Sequence, residues 1–143
     1  MSNPFLQHAQ RLKTGFLERE HLIFVDGKWI EPSGRERNAV IDPSTGEALT
    51  TIAMGKSEDI DRAVAAAERA FRGDWGRMAA PERTRKLLEL ADLIEQNADE
   101  LATLESLDGG NPITHTRYGD IARAIDDAAA GRIDAGGGAA ARC

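Results

Sequence analysis

The hydrophobic pattern of this chain changes its period near Ser57. Before that residue, short apolar runs flank the pair Asp26-Gly27, the strongest short signal for a β-hairpin, since both central residues must tolerate positive φ. After it, apolar residues recur at steps of four, three and four, which predicts a helix with one apolar stripe. The residues of that stripe are Ile60, Val64, Ala67 and Phe71. The pattern therefore predicts strands, including a hairpin, ahead of this helix.

Further elements are predicted on both sides of this change. Strands are expected at Asn38–Asp42 and Ala48–Ala53, joined by a turn-rich segment. Helices are expected at four more places: within residues 4–19, from Pro81 to a kink at Asn97, from there to a stop at Gly109-Gly110, and from about Thr114 to Ala130.

The material for a hydrophobic core is concentrated in the front of the chain. Six of the seven aromatic residues lie at or before Trp75, and only Tyr118 follows. Seven of the fourteen glycines fall between Gly109 and the C-terminus. We predict three parts: an N-terminal helix and extension at residues 1–21, a folded region at residues 22–130, and a disordered Gly/Ala-rich tail at residues 131–143.

Charge and composition exclude several classes of function. The net charge of −6 argues against a surface that follows nucleic-acid phosphates. No apolar run approaches the ~20 residues that a membrane span requires. The single cysteine, Cys143, excludes an internal disulfide and a multi-cysteine metal cluster. We therefore expect a soluble, cytoplasmic protein that binds neither nucleic acid nor membrane.

The residues that most often carry chemistry do not form a catalytic pattern here. Cys143 ends the sequence after a Gly/Ala stretch that predicts no enclosed site around the thiol. We therefore interpret it as a residue without a catalytic role. The histidines His8, His21 and His115 are scattered and are predicted as surface or turn residues. No glycine-rich phosphate loop between a strand and a helix occurs. We predict no catalytic and no cofactor-binding residue.

Two charged clusters are interpreted as parts of solvated helices. One follows Ser57, which is predicted as an N-cap, and its acids complement the helix dipole. The other is basic and has acidic neighbours. Their members are Glu58, Asp59 and Asp61, and Arg83, Arg85 and Lys86. Gly73 and Gly76 are predicted to end the first of these helices.

Asp108 lies at a helix end, where the dipole disfavours a carboxylate, immediately before Gly109-Gly110. Two interpretations remain open. Its side chain caps its own turn, which the residue type favours, or it contacts a cation.

Four segments, taken together and in this order, resemble the N-terminal part of the NAD(P)-dependent aldehyde dehydrogenase superfamily. They are FVDGKWIEP at 24–32, IDPSTGEAL at 41–49, SEDIDRAVAAAERAF at 57–71, and PERTRKLLELADLIEQNADELATLESLDGGNP at 81–112. The likeness covers roughly residues 22–126. It implies a partial aldehyde dehydrogenase-like fold of the α/β class: a β-hairpin and meander arm, then about four helices of the coenzyme-binding domain, without its Rossmann-type sheet.

The resemblance also implies that the chain is an N-terminal fragment. The family's asparagine, glutamate and cysteine of the reaction, and its coenzyme-binding turn, have no matching segment here. We expect the family reaction, NAD(P)-dependent oxidation of an aldehyde to an acid, to be absent from this chain alone. We also expect neither NAD nor NADP to bind it well. The alternative is a non-catalytic module that pairs with itself or with a full-length relative.

One feature of the family carries over to matching positions. Some members bind a structural monovalent cation through backbone oxygens and an aspartate. The matching residues are Val40, Ile41 and Asp108. The resemblance thus implies a cation contact for Asp108, with a further family ligand in a segment that has no match here.

Overall fold

The computed structural model describes residues 4–130. Helices and strands follow one another in the predicted order, strands before the main helices. In chain order they are α1 (Pro4–Lys13), β1 (Ile23–Val25), β2 (Lys28–Ile30), β3 (Arg37–Ile41), β4 (Ala48–Ala53), α2 (Ser57–Arg72), α3 (Asp74–Arg77), α4 (Ala80–Gln96), α5 (Ala98–Gly109), α6 (Ile113–His115), a π-helical segment (Thr116–Asp120) and α7 (Ile121–Ala129). The predicted tail at residues 131–143 and Cys143 lie outside the described residues.

The predicted hairpin is present. β1 and β2 pair antiparallel, with Phe24 opposite Trp29. The two-residue turn has φ of 54° at Asp26 and 75° at Gly27, the left-handed conformation that such a turn requires. The rings of Phe24 and Trp29 meet edge to face, yet both side chains are mostly exposed. The hairpin thus presents an aromatic face that the other residues of the range 4–130 leave mostly exposed.

The strands β3 and β4 form a second antiparallel pair, separate from the hairpin. β4 has the predicted bounds, whereas β3 ends one residue earlier, at Ile41. Asp42 begins the following turn because its carboxylate accepts hydrogen bonds from the hydroxyl and the N–H of Ser44. The backbone of His21 extends the pair, since its carbonyl accepts from the N–H of Ala53 at 2.9 Å.

Helix α2 corrects two predictions. Its cap is Lys56, and Ser57 is already the first helical residue. The predicted apolar stripe is exposed: Ile60, Val64 and Phe71 are 57%, 60% and 71% accessible. The helix instead buries Ala66 and Asp59 on another face. It ends at Arg72, and Gly76 lies inside the short α3.

Helices α4 and α5 meet at Asn97, where the kink is predicted. The helical spacing of Leu87, Leu88, Ala91 and Ile94 predicts a buried face on α4. Leu87 and Ala91 are buried there, on the face that packs against α7. Leu88 was predicted on that face, but its side chain is 44% exposed. One step along a helix turns a side chain by about 100°, so Leu88 points away from α7.

The predicted final helix is one continuous helical stretch with a π-helical interruption. Thr116 begins that interruption and is fully buried. Its hydroxyl donates to the carbonyl of Ala102 in α5 at 3.0 Å. The core lies among α1, α4, α5 and α7 and contains mainly small side chains. Its buried apolar members include Leu12, Leu17, Leu87, Ala91, Ala98, Ala102 and Ala128.

Candidate functional site

A groove of about 490 Å³ lies between the β3–β4 pair and helices α5 and α7. Most of its wall is apolar, and its two carboxylates both come from the last turns of α5. The residues that line it are Phe16, Leu17, His21, Val40, Leu49, Thr50, Ile52, Leu101, Leu104, Glu105, Asp108 and Ile121. On the strand side Val40, Leu49 and Thr50 are half-buried, whereas Ile52 is 39% exposed.

The groove brings together two residues that are 68 positions apart in the sequence, Val40 and Asp108. Both are predicted cation ligands. Val40 is half-buried and Asp108 is exposed, so the carboxylate lies at the mouth of the groove. Ile41, the third predicted ligand, does not line the groove, and its side chain is 48% exposed.

The turn after α5 packs closely against the turn after β3. Gly110 has φ of 71°, and a Cβ there would lie 2.7 Å from Cγ of Pro43. This contact places the C-terminal end of α5 beside the chain that leaves Ile41. The two segments that supply the predicted ligands are therefore neighbours.

The pairing of β3 with β4 is irregular at the same place. Val40 lies opposite Thr50 and Ile41 lies opposite Ala48, so the register skips Leu49. A bulge disrupts the ladder locally and leaves a residue unpaired. That residue is Leu49 of β4, whereas Val40 and Ile41 keep their partners across the pair. Carbonyl and carboxylate oxygens are the usual ligands of hard cations, so the residue types at the predicted positions fit such an ion in chemistry.

Asp42 is adjacent to this region but its carboxylate serves the turn. It is 5% exposed and accepts from both the hydroxyl and the N–H of Ser44. These hydrogen bonds, that of the hydroxyl first, lower the pKa of Asp42 below its ordinary value. Asp42 thus fixes the turn and is not directed into the groove.

Sequence reasoning missed two titratable residues of the groove, His21 and Glu105. His21 was predicted as a surface or turn residue, but it is half-buried and lines the wall. Its Nε2 is buried and has no hydrogen-bond partner within residues 4–130. Glu105 lies one turn of helix before Asp108. Helical spacing from Asp108 is the signal that could have found it.

The basic cluster predicted on α4 is solvated only in part. Arg85 and Lys86 lie on a solvated face and pair with Glu89, where the Lys86 ammonium lowers the pKa of that carboxyl. Arg83 is half-buried and donates to the carbonyl of Met78 at 2.8 Å, which corrects its prediction as a solvated residue. Within residues 4–130 no three acidic, histidine or cysteine side chains cluster as metal ligands.

Asp59 is the most heavily hydrogen-bonded carboxylate of the described chain. It is 1% exposed and accepts from the N–H of Lys56 at 2.9 Å, from Arg62, and from Ser33. These donors, the Lys56 N–H first, lower the pKa of Asp59 to about 2. The prediction that Asp59 complements a helix dipole missed the contact with Ser33. That contact gives it a structural role rather than a catalytic one.

The sequence pattern of the aldehyde dehydrogenase family matches residues 29–134. The NADP/NAD-dependent aldehyde dehydrogenase PuuC of Escherichia coli is 46% identical over 110 residues, which are 74% of this chain and 22% of PuuC. The crystal structure of HpcC from Thermus thermophilus superposes with a TM-score of 0.78 at 39% identity, over 87% of this chain and 23% of that one. The NAD⁺ complex of an aldehyde dehydrogenase from Bacillus cereus has the same TM-score at 32% identity, over 91% and 25%.

These likenesses define the class of the protein as a partial α/β fold of the aldehyde dehydrogenase type. The chain belongs to the aldehyde dehydrogenase family. It spans about a fifth to a quarter of the length of the curated relatives that it matches. The resemblance and the partial fold predicted from the sequence are therefore confirmed. No helix within residues 4–130 has the length and apolar character needed to cross a membrane.

Proposed function

We propose that this chain supplies the N-terminal supporting region of an NAD(P)-dependent aldehyde dehydrogenase and is catalytically silent by itself. The family reaction would then be carried out by the remainder of a longer family protein, with this region packed against it. The observation that carries the proposal is the exposed apolar stripe of α2. Three large side chains of that stripe, Ile60, Val64 and Phe71, are more than half exposed.

The outer face of α4 supports the same proposal. Leu88, Leu90 and Leu93 are 44%, 44% and 56% exposed, so a second helix also presents unpacked apolar residues. Exposed apolar surface of this extent is typical of a face that another structure covers. The missing cover would be the rest of the coenzyme-binding domain, which the family resemblance implies.

Catalytic silence follows from the chemistry of the family reaction. A cysteine thiolate attacks the aldehyde, hydride moves to the nicotinamide, and water hydrolyses the thioester. Each step needs a positioned group, and the loss of one oxyanion donor typically costs ~10²–10³ in rate. The only cysteine of the sequence is Cys143, and the residues before it do not resemble the family's nucleophile segment.

The proposal is tested by a dye that fluoresces on exposed apolar surface. We expect the purified chain to bind the dye, and the double variant Val64→Ser/Phe71→Ser to bind less with an unchanged free energy of unfolding. Glu68→Ser, an exposed change on the same helix, is the matched control and should leave dye binding unaltered. A chain that melts sharply with negligible dye uptake would count against an uncovered supporting region.

We further propose that Val40, Ile41 and Asp108 hold a monovalent cation, with backbone oxygens from the first two and the carboxylate of the third. The groove that Val40 and Asp108 share and the contact of Gly110 with Pro43 support this assignment. The test compares thermal unfolding in potassium, sodium and tetramethylammonium salts at equal ionic strength. A small inorganic cation should raise the midpoint, and Asp108→Asn should remove the effect while Glu105→Gln should not.

The second candidate function is a non-catalytic module that associates with itself or with a full-length relative. The exposed ring pair Phe24 and Trp29 on the hairpin favours it. Light scattering of the chain alone and mixed with a full-length family member distinguishes the two functions. A strictly monomeric chain that does not associate would remove this candidate.

The cytoplasmic location expected from the sequence stays a prediction.

A further inference from the structure

A second pocket, of about 310 Å³, lies where α1 ends against the start of α5. It is separate from the groove except for one shared wall, the ring of Phe16. We call it the arginine pocket. Its lining residues are His8, Arg11, Leu12, Gly15, Phe16, Arg19 and Glu100.

The arginines of this pocket differ from most others in the described chain. Seven arginines within residues 4–130 form ion pairs with carboxylates, such as Arg37 with Glu20 and Glu31. No ion pair among the described residues includes Arg11 or Arg19. Both exposed guanidiniums line one pocket, whose single carboxylate is that of Glu100. The pocket therefore concentrates positive charge on a protein whose net charge is −6.

A hydrogen bond holds one of these guanidinium groups in place. Nη2 of Arg11 lies 2.9 Å from Nδ1 of His8. A guanidinium only donates, so the imidazole nitrogen accepts and the positive charge of Arg11 stays unneutralised. His8 is half-buried and thus positions Arg11 without cancelling its charge.

The dipole of α1 accounts for only part of this arrangement. Arg11 and Lys13 lie in the last turn of the helix, where cations are favoured. Arg19 lies six residues beyond the end of α1, in the turn that precedes β1, where the helix dipole no longer acts. Both guanidiniums are exposed and Glu100 pairs with neither, so an anion that enters the pocket can reach both of them.

We propose that the arginine pocket binds an oxyanion of the phosphate type, with Arg11 and Arg19 as its charged donors. The fork of each guanidinium matches two oxygens of such a group. Phe16, whose side chain is 40% exposed, offers an apolar wall beside the anion. The shared chemistry is a phosphate group, either as inorganic phosphate or as a phosphomonoester. Glu100 opposes the anion and limits its affinity.

The test is a titration of the isotope-labelled full chain, followed by nuclear magnetic resonance at constant ionic strength. One arm uses inorganic phosphate and the other uses phenyl phosphate. We expect saturable shifts of the signals of Arg11 and Arg19. Tighter binding of phenyl phosphate would indicate a phosphomonoester as ligand, and equal binding would indicate free phosphate; either result supports the pocket.

Variants separate this pocket from general charge attraction. We expect Arg11→Gln and Arg19→Gln each to weaken binding by about tenfold, and Glu100→Gln to strengthen it. Arg123→Gln is the matched control, because Arg123 also forms no ion pair in the described chain and does not line the pocket. The proposal is overturned when neither probe gives saturable shifts. It is equally overturned when Arg123→Gln weakens binding as much as Arg19→Gln.

Discussion

The carboxylate of Asp59 accepts hydrogen bonds from both the backbone N–H and the hydroxyl of Ser33, 26 residues earlier in the chain. Asp59 lies in the first turn of α2 and Ser33 lies just after the hairpin. The same carboxylate accepts from the N–H of Lys56, which begins the helix. One buried side chain therefore joins the β-arm to the first helix and caps that helix.

Removal of this charge should loosen the junction. We expect Asp59→Asn to lower the midpoint of thermal unfolding by several degrees, because Ser33 and Arg62 lose a buried, charged acceptor. Asp61→Asn is the matched control, since Asp61 lies in the same turn and is exposed. Circular dichroism during heating measures both. Equal midpoints for the two variants would contradict the role given to Asp59.

The same residue predicts a dependence of stability on pH. The pKa of Asp59 is about 2 in the folded chain, below its ordinary value of 3.8. The unfolded state therefore binds more protons between these values, so the contribution of Asp59 is complete above ~pH 5 and decreases as the pH falls toward 2. Urea unfolding should show a difference between wild type and Asp59→Asn that is large at neutral pH and smaller in acid. A difference in stability that grows as the pH falls would contradict this prediction.

The contact between Gly110 and Pro43 predicts the effect of a single methyl group. Gly110→Ala should lower the free energy of unfolding by about 1–3 kcal/mol, because φ is positive and the new Cβ would overlap Pro43. Gly109→Ala is the matched control, since its nearest neighbour would be at an ordinary 3.5 Å. Chemical unfolding of the two variants gives the comparison. A Gly110→Ala chain as stable as wild type would show that the two turns are not packed as described.

The buried hydroxyl of Thr116 predicts a smaller effect. Thr116→Val keeps the volume of the side chain but removes its hydrogen bonds to the carbonyls of Ala102 and Ile113. We expect a loss of about 1 kcal/mol in the free energy of unfolding. Thr114→Val, at an exposed position two residues earlier, should leave the free energy of unfolding nearly unchanged. Identical losses at both positions would argue against a special role for Thr116.

Local features of the fold were predictable from the sequence. Asp26-Gly27 predicted the hairpin because the turn depends on two adjacent residues, and both have positive φ. The kink at Asn97 and the stop at Gly110 were predictable for the same reason. The exposure of the apolar stripe of α2 was not predictable. Periodicity shows which residues share a helix face, but not whether another part of the protein covers that face. The stripe with Val64 and Phe71 is exposed for that reason.

Contacts between distant parts of the chain were mostly beyond sequence reasoning. The hydrogen bonds of Asp59 with Ser33 and the half-buried position of His21 depend on tertiary packing that no short pattern records. Val40 and Asp108 line one groove although they are far apart in the sequence, and the cation site assigned to them stays a prediction. Periodicity alone would not have paired these two residues.

The most direct test of the central proposal is an assay of aldehyde oxidation by the purified full chain, with NAD⁺ and with NADP⁺. A full-length family member serves as the positive control. We predict no aldehyde-dependent formation of NADH or NADPH by this chain, because it lacks the family's reactive segments. Sustained reduction of either coenzyme that depends on the chain, and that Cys143→Ala abolishes, would contradict the account.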